Sequence, residues 1–227
     1  MKKEKGVRLL FGTMPETIGH AELVAMFRGA VAQIRANHET LSKLDSHGGD
    51  GDHGTTMVRA TGILENALDG SSAGGIGGLL KDIGWGIMGV DGGATGPLFG
   101  ALFMGMSESA VGKDALDAGA LAGVFEAGLA SVRKYTKAQV GDKTMIDALV
   151  PAVQALRSAA DGGATVSDAL RRAAEAAEQG AASTKDLQAR FGRAKNVGPQ
   201  SIGAQDPGAT SVSLIFGGFV EGVTDVA

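Results

Sequence analysis

Residues 44–54 read LDSHGGDGDHG, which places three aspartates, Asp45, Asp50 and Asp52, within eight residues and His53 directly after them. Like charges this close repel, and the interleaved glycines add conformational entropy that folding must overcome. Such a loop persists if something compensates, and a divalent cation is the obvious candidate. Hard carboxylate oxygens without sulfur ligands suit Mg²⁺, Mn²⁺ or Ca²⁺ over zinc. The spacing is not that of a calcium hand, which needs a bidentate Glu at its twelfth position. Three carboxylates would serve one or two magnesium ions bridging to a polyphosphate. The same residues also read as a solvated acidic turn before a helix at Gly54, with Asp52 as its N-cap.

Three further stretches carry chemical potential. In GGATGPLFG (92–100), Thr95 and Gly96 sit where a helix would begin, and backbone N–H groups at a helix N-terminus bind phosphate. The alternative there is close helix packing. In GDKTMIDALVP (141–151), Asp142 or Thr144 can cap the following helix. Neither GDKT nor Gly112-Lys113-Asp114 is a Walker A motif, so a nucleotide would bind without a P-loop. In GRAKNVGPQSIGAQDPGATS (192–211), Asp206 followed by Pro207 and Gly208 is a good helix start. Arg193 could grip a phosphate through its planar fork, or form a surface salt bridge. His53 can orient a carboxylate, contact phosphate or serve only as a hydrogen-bonding residue. His20, His38 and His47 suggest nothing specific, and Trp85 is either core or a partner-facing anchor.

The elements that must position these residues are helical. Apolar residues recur at helical spacing at Leu23, Phe27, Ala30, Ile34 and Leu41, again at Leu121, Phe125, Gly128 and Val132, and again at Ile146, Leu149, Val153 and Leu156. Helices are expected at about 20–42, 54–69, 74–90, 95–108, 114–136, 143–159, 165–182 and 207–222, the seventh opening on a capping-box-like Thr165 and Asp168. No strand pattern competes. The polar stretch 183–206 is the one long connection, and so functional or mobile. The fold expected is all-α: one domain of about eight antiparallel helices, a barrel or bundle, over 19–227. Residues 1–18 form an N-terminal extension of unknown role.

Composition agrees with this and excludes several classes. Of the 227 residues, 44% are hydrophobic and 20% charged, enough for a soluble protein with a real core. Aromatics are only 4%, so the core should be built from Ala, Leu, Val, Ile, Met and Gly. A net charge of −4 without a basic stripe argues against nucleic acid as a partner. The chain has no cysteine, hence neither a thiolate metal site nor a cysteine nucleophile. The N-terminus lacks the apolar run of a signal peptide, and the longest uncharged stretch, 92–107, is too short and glycine-rich to span a membrane. The expected compartment is the cytoplasm.

Together, GDGDHGTTM, GGATGPLFG, GDKTMIDALVP and GRAKNVGPQSIGAQDPGATS resemble the nucleotide-binding L subunit of dihydroxyacetone kinase, in the family's order and at its approximate separations over about 20–225. The resemblance implies an eight-helix antiparallel barrel with ADP or ATP at one end. It implies that Asp45, Asp50 and Asp52 hold two Mg²⁺ ions on the phosphates and that His53, Gly54, Thr55 and Thr56 continue that wall. Ala94 and Thr95 would approach the phosphates, Gly141 and Val150 would lie near the nucleoside, and Arg193 with Asp206, Pro207 and Gly208 would close the site, Arg193 as the catalytic group. Thr95 stands where the family has serine and keeps the hydroxyl. Lys195 to Val197 and Ala204 depart from the family pattern, which bears on substrate and partner. The implied activity is phosphoryl transfer to a small hydroxy-ketone held on a partner K-type subunit, without which this chain would be half of an enzyme. A phosphotransferase-system protein would be a further partner if ADP stays bound and is rephosphorylated there; otherwise ATP exchanges. A homodimer stays open. The alternative function is a nucleotide-loaded regulatory protein that acts on a partner without transfer.

Overall fold

The computed structural model describes residues 16–70 and 74–225. Among them are nine α-helices: α1 (His20–Ala36), α2 (His38–Asp45), α3 (His53–Gly70), α4 (Gly75–Met88), α5 (Thr95–Ala110), α6 (Ala118–Val132), α7 (Ile146–Asp161), α8 (Val166–Ser183) and α9 (Pro207–Asp225). Two 3-10 helices, Thr184–Asp186 and Arg193–Ser201, lie between α8 and α9. No strand occurs among the described residues, and Ile18 and Leu116 form only an isolated antiparallel bridge. The fold is all-α, as the periodicity requires. Residues 1–15 of the N-terminal extension lie outside the described residues.

Eight of the nine helices close into a ring. Each packs on its chain neighbour from α3 through α9, and α9 packs most extensively on α1, which returns to α3. The closure runs backbone to backbone. A Cβ on Gly218 would lie 2.5 Å from the Gly29 carbonyl, and one on Gly222 would fall on Ala25, so α1 and α9 run antiparallel with nothing between them. Arg35 pairs with Glu65 and Arg28 with Asp69, which sets α1 antiparallel to α3.

Three boundaries differ from the sequence reading, each for a local reason. The helix expected over 20–42 breaks at Asn37, whose side-chain amide turns back to donate to the Gln33 carbonyl at 2.8 Å. The remainder is the short α2, set outside the ring. The helix expected from 114 starts at Ala118, because the Asp117 carboxylate accepts from the Ala120 N–H at 2.7 Å and caps it. The helix expected from 143 starts at Ile146, after a loop built around Asp147. Thr165 does cap α8, accepting from the Asp168 N–H at 3.2 Å. The interior is more aromatic at its centre than composition suggests. Phe27, Phe103, Phe125, Phe216 and Phe219 pack with ring centroids 5.3–5.9 Å apart, the tilted and edge-on range that aromatic pairs prefer.

Candidate functional site

Antiparallel order places the N-termini of α3, α5, α7 and α9 at one end of the ring. They surround a cavity of about 330 Å³. Each helix N-terminus brings unsatisfied N–H groups and partial positive charge. Ala94 gives α5 no side-chain cap, and Met145 gives α7 none either, although there the Ile146 N–H donates to Thr144 Oγ1 and the Asp147 and Ala148 N–H groups donate to the Thr144 and Met145 carbonyls. α9 is capped by Asp206, whose Oδ2 accepts from the Ala209 N–H at 2.7 Å.

The acidic loop runs from α2 to α3 along this cavity. Asp45, Asp50 and Asp52 each bring a carboxylate oxygen within 4.8 Å of the others. The turn needs its glycines: Gly51 has φ +78, and a side chain on Gly49 would collide with the Asp45 carboxylate. Three hard oxygen donors, partly open to solvent and free of nitrogen or sulfur, fit Mg²⁺. Arg193 Nη1 pairs with Asp50 and lies 3.7 Å from Asp52. Behind it, a Cβ on Gly48 would sit 2.7 Å from that of Ala194, so the second 3-10 helix rests directly on the acidic loop.

His53 opens α3 and is 9% exposed. Its Nε2 lies 2.8 Å from Ser211 Oγ on α9, and its Nδ1 lies 3.4 Å from Thr95 Oγ1 on α5. Burial pushes its pKa down, against smaller upward pulls from Asp45 and the Pro207 carbonyl. Thr56 is buried behind Gly92, where its hydroxyl finds no protein partner.

A second polar cluster shapes the opposite wall. Lys143 has a left-handed backbone, φ 61, and its ammonium is buried. Its Nζ donates to the carbonyls of Thr184 at 2.7 Å and Ala204 at 2.5 Å, tying the loop before α7 to both ends of the long connection. Burial lowers its pKa, opposed by Asp206, Asp147 and Asp186. Asp206 faces the cavity from an otherwise enclosed position. Burial pushes its pKa up to about 7, aided by Asp147 and opposed by the Ala209 N–H, Lys143 and the Gly208 N–H. Asp147 accepts from the Gly141 and Thr144 N–H groups at 2.6 and 2.7 Å, which holds the GDKT turn. Asp142 does not cap α7; it accepts from the Gln139 N–H at 2.8 Å, while Thr144 accepts from the first turn of α7, its Oγ1 from the Ile146 N–H at 3.2 Å and its carbonyl from the Asp147 N–H at 3.0 Å.

The cavity wall therefore contains Asp45, Asp52, His53, Ala94, Thr95, Arg193, Asp206, Pro207 and Gly208, with Asp50 joined to it through Arg193. Gly54, Thr55, Thr56, Gly141 and Val150 stand outside it. Gly54 packs on the His38 carbonyl, Thr55 is exposed, and Val150 is buried in α7. Lys143 to Ile146, between Gly141 and Val150, line the wall. Lys143 and the exposed Tyr135 at the mouth line the cavity and are passed over by motif reading alone, as is Ser211, which lies behind the wall against His53. Ser211 stands one helical turn after Pro207, and that spacing was a signal available in the sequence.

An all-helical ring with an acidic loop and four helix N-termini around one cavity defines a class: an all-α barrel that gathers its charged and polar groups at one end. The chain belongs to the DAK2-domain family, whose model matches residues 47–221. It is 41% identical over 178 residues to the ADP-binding subunit DhaL of the PEP-dependent dihydroxyacetone kinase of Escherichia coli, covering 78% of this chain and 85% of that one. The corresponding subunit of kinase 1 from Listeria innocua is 40% identical, with 81% and 87% covered. The D-erythrulose kinase of Mycolicibacterium smegmatis is 34% identical, with 86% of this chain but only 34% of that protein covered. Among solved structures, the dihydroxyacetone kinase of C. freundii superposes with a TM-score of 0.69 at 25% identity, over 97% of this chain and 38% of that one.

Proposed function

We propose that this chain is the nucleotide-binding subunit of a dihydroxyacetone-type kinase. It would pass a phosphoryl group from Mg²⁺-bound adenine nucleotide to a small hydroxy-ketone held on a separate K-type subunit. One observation carries the reading: three convergent carboxylates and four helix N-termini share a single cavity. Phosphoryl transfer asks a protein mainly to position groups and neutralise charge. Asp45, Asp50 and Asp52 would hold two Mg²⁺ ions, which when bound neutralise phosphate charge. The partial positive charge of the four helix N-termini and the guanidinium of Arg193 would supply the remaining positive potential. Apolar lining from Leu98, Phe99 and Phe191 offers a dry surface for the rest of a nucleotide. The full-length relatives named as ADP-binding subunits support the same assignment.

The cavity's one lysine amine, Lys143 Nζ, is held by the Thr184 and Ala204 carbonyls, and the His53 ring by Ser211 and Thr95. The ketone would therefore be captured on the partner, and reacting atoms must be held about 3–3.5 Å apart. Calorimetry on the purified chain should show ADP binding that requires Mg²⁺, and coupled ADP-release assays should show turnover only after a K-type subunit is added. Equal ADP affinity in excess chelator would refute the metal assignment, and robust turnover by the chain alone would refute the division of labour. The ADP exchange rate then separates an ATP-consuming subunit from one that keeps ADP and is recharged by a phosphotransferase-system protein.

A further inference from the structure

We infer that Tyr135 holds the base of the nucleotide, its ring stacking on the purine at the cavity mouth; this rests on the nucleotide-binding reading above. On that reading the acidic loop marks the phosphate end. The loop leaves α2, which packs on α3 and α9, the two ring neighbours of α1. Tyr135 follows α6, which lies across the ring from α1: α3, α4 and α5 separate the two one way, α9, α8 and α7 the other. A nucleotide whose phosphates meet Asp45 and Asp52 therefore carries its other end across the cavity towards α6.

The residue at that side is an aromatic. Tyr135 lines the cavity and is 60% exposed. Single exposed aromatics are ordinary on protein surfaces. Tyr135 differs in its place, on the cavity and opposite the carboxylates. Its backbone is fixed. The Tyr135 N–H donates to the Val132 carbonyl at 2.9 Å, continuing the last turn of α6, and the Ala138 N–H donates to Thr136 Oγ1 at 3.1 Å. Asp142 then ties this loop to the long connection. Its carbonyl accepts from the Arg190 N–H at 3.1 Å, and its carboxylate pairs with the Arg190 guanidinium at 3.2 Å. Phe191, the next residue, also lines the cavity. A held backbone that presents an open ring suits a stacking platform, because little order remains to be lost on binding. A purine offers a flat π-face whatever its edge carries, and aromatic side chains take bases by that face.

Tyr135 is the chain's single tyrosine, so one label reports on it alone. The full chain is prepared with 3-fluorotyrosine and followed by ¹⁹F NMR. Mg–ADP should move the resonance through the ring current of the base, whereas Mg–pyrophosphate, which lacks a base, should leave it in place. Calorimetry on Tyr135→Ala should show Mg–ADP affinity lower by about five- to thirtyfold, the lower part of the range for base–aromatic stacking. Mg–pyrophosphate affinity should stay within about twofold, and Tyr135→Phe should bind Mg–ADP like the wild type. A resonance unmoved by Mg–ADP, or moved equally by both probes, overturns the inference. So does a shift that appears only on adding a K-type subunit, which would make Tyr135 a partner contact, and so does an equal loss of affinity for both probes. Failure of the wild type to bind Mg–ADP in the calorimeter would instead refute the nucleotide reading itself, and Tyr135 would fall with it.

Discussion

Lys143→Met tests whether the long connection is held against the cavity by a single ammonium. Methionine keeps most of the aliphatic stem and removes the charge, so packing changes little. Two carbonyls, those of Thr184 and Ala204, lose donors at 2.7 and 2.5 Å. Hydrogen bonds from a charged group contribute about 1.5–3 kcal/mol each. Part of that sum is returned, because the ammonium no longer has to be buried, a cost visible in its lowered pKa. The net loss should be about 2–3 kcal/mol. In a chain of this size each kcal/mol moves Tm by roughly 2–4 °C, so melting should fall by about 4–12 °C. The local consequence matters more. Ala204 precedes the Asp206 cap, whose own N–H donates to Thr184 Oγ1 at 2.8 Å, so releasing this anchor loosens the α9 N-terminus. Mg–ADP affinity should fall about tenfold, or about 1.4 kcal/mol. The assays are thermal unfolding and calorimetry on the same samples. A Tm within a degree of wild type would refute the clip. A large Tm loss with unchanged affinity would show that the clip does not reach the site.

Asp206 gives the chain a pH signature. Its folded pKa of about 7 lies above that of a free carboxyl, so between about pH 4 and 7 the native state keeps a proton the unfolded state has released. Stability should be highest below that window, decline through it as pH rises, and level off above it. Asp206→Asn should flatten the decline, and denaturant titrations across pH 4–8 that show the same slope in both proteins would count against the assignment. Arg193→Ala should lower the transfer rate with a K-type subunit more than it lowers Mg–ADP affinity, since charge that develops in the transition state is met preferentially there. An equal fall in both would make Arg193 only a clamp, and no change in either would make it a surface residue.

The ring was legible because apolar spacing at Leu23, Phe27, Ala30 and Ile34 reports which face of a helix is buried, whatever packs against it. The acidic loop was legible because three aspartates among glycines have few structural uses. What escaped depends on tertiary contact. The Asn37 break turns on one side-chain amide bonding back to Gln33, at a position where helical periodicity continues across it. Lys143 looked like an ordinary residue of a cap, because neither its left-handed backbone nor the carbonyls it meets are encoded locally. The placement of Gly141 and Val150 beside a nucleoside came from resemblance alone, and the part the loop built on Asp147 plays in bringing Lys143 to Ile146 to the wall has no local signal in the sequence.

The direct seam between α1 and α9 has a consequence for how the site comes into being. The acidic loop follows α1 and α2 and is synthesised early, whereas Asp206 caps the last helix described and Ser211 lies within it. Contacts this distant in sequence are slow to form, because the loop-closure entropy must be overcome before they are rewarded. A nascent chain would therefore carry its three aspartates exposed and unfinished until α9 leaves the ribosome and docks on the glycines of α1. Binding competence should arrive in one step with closure of the ring.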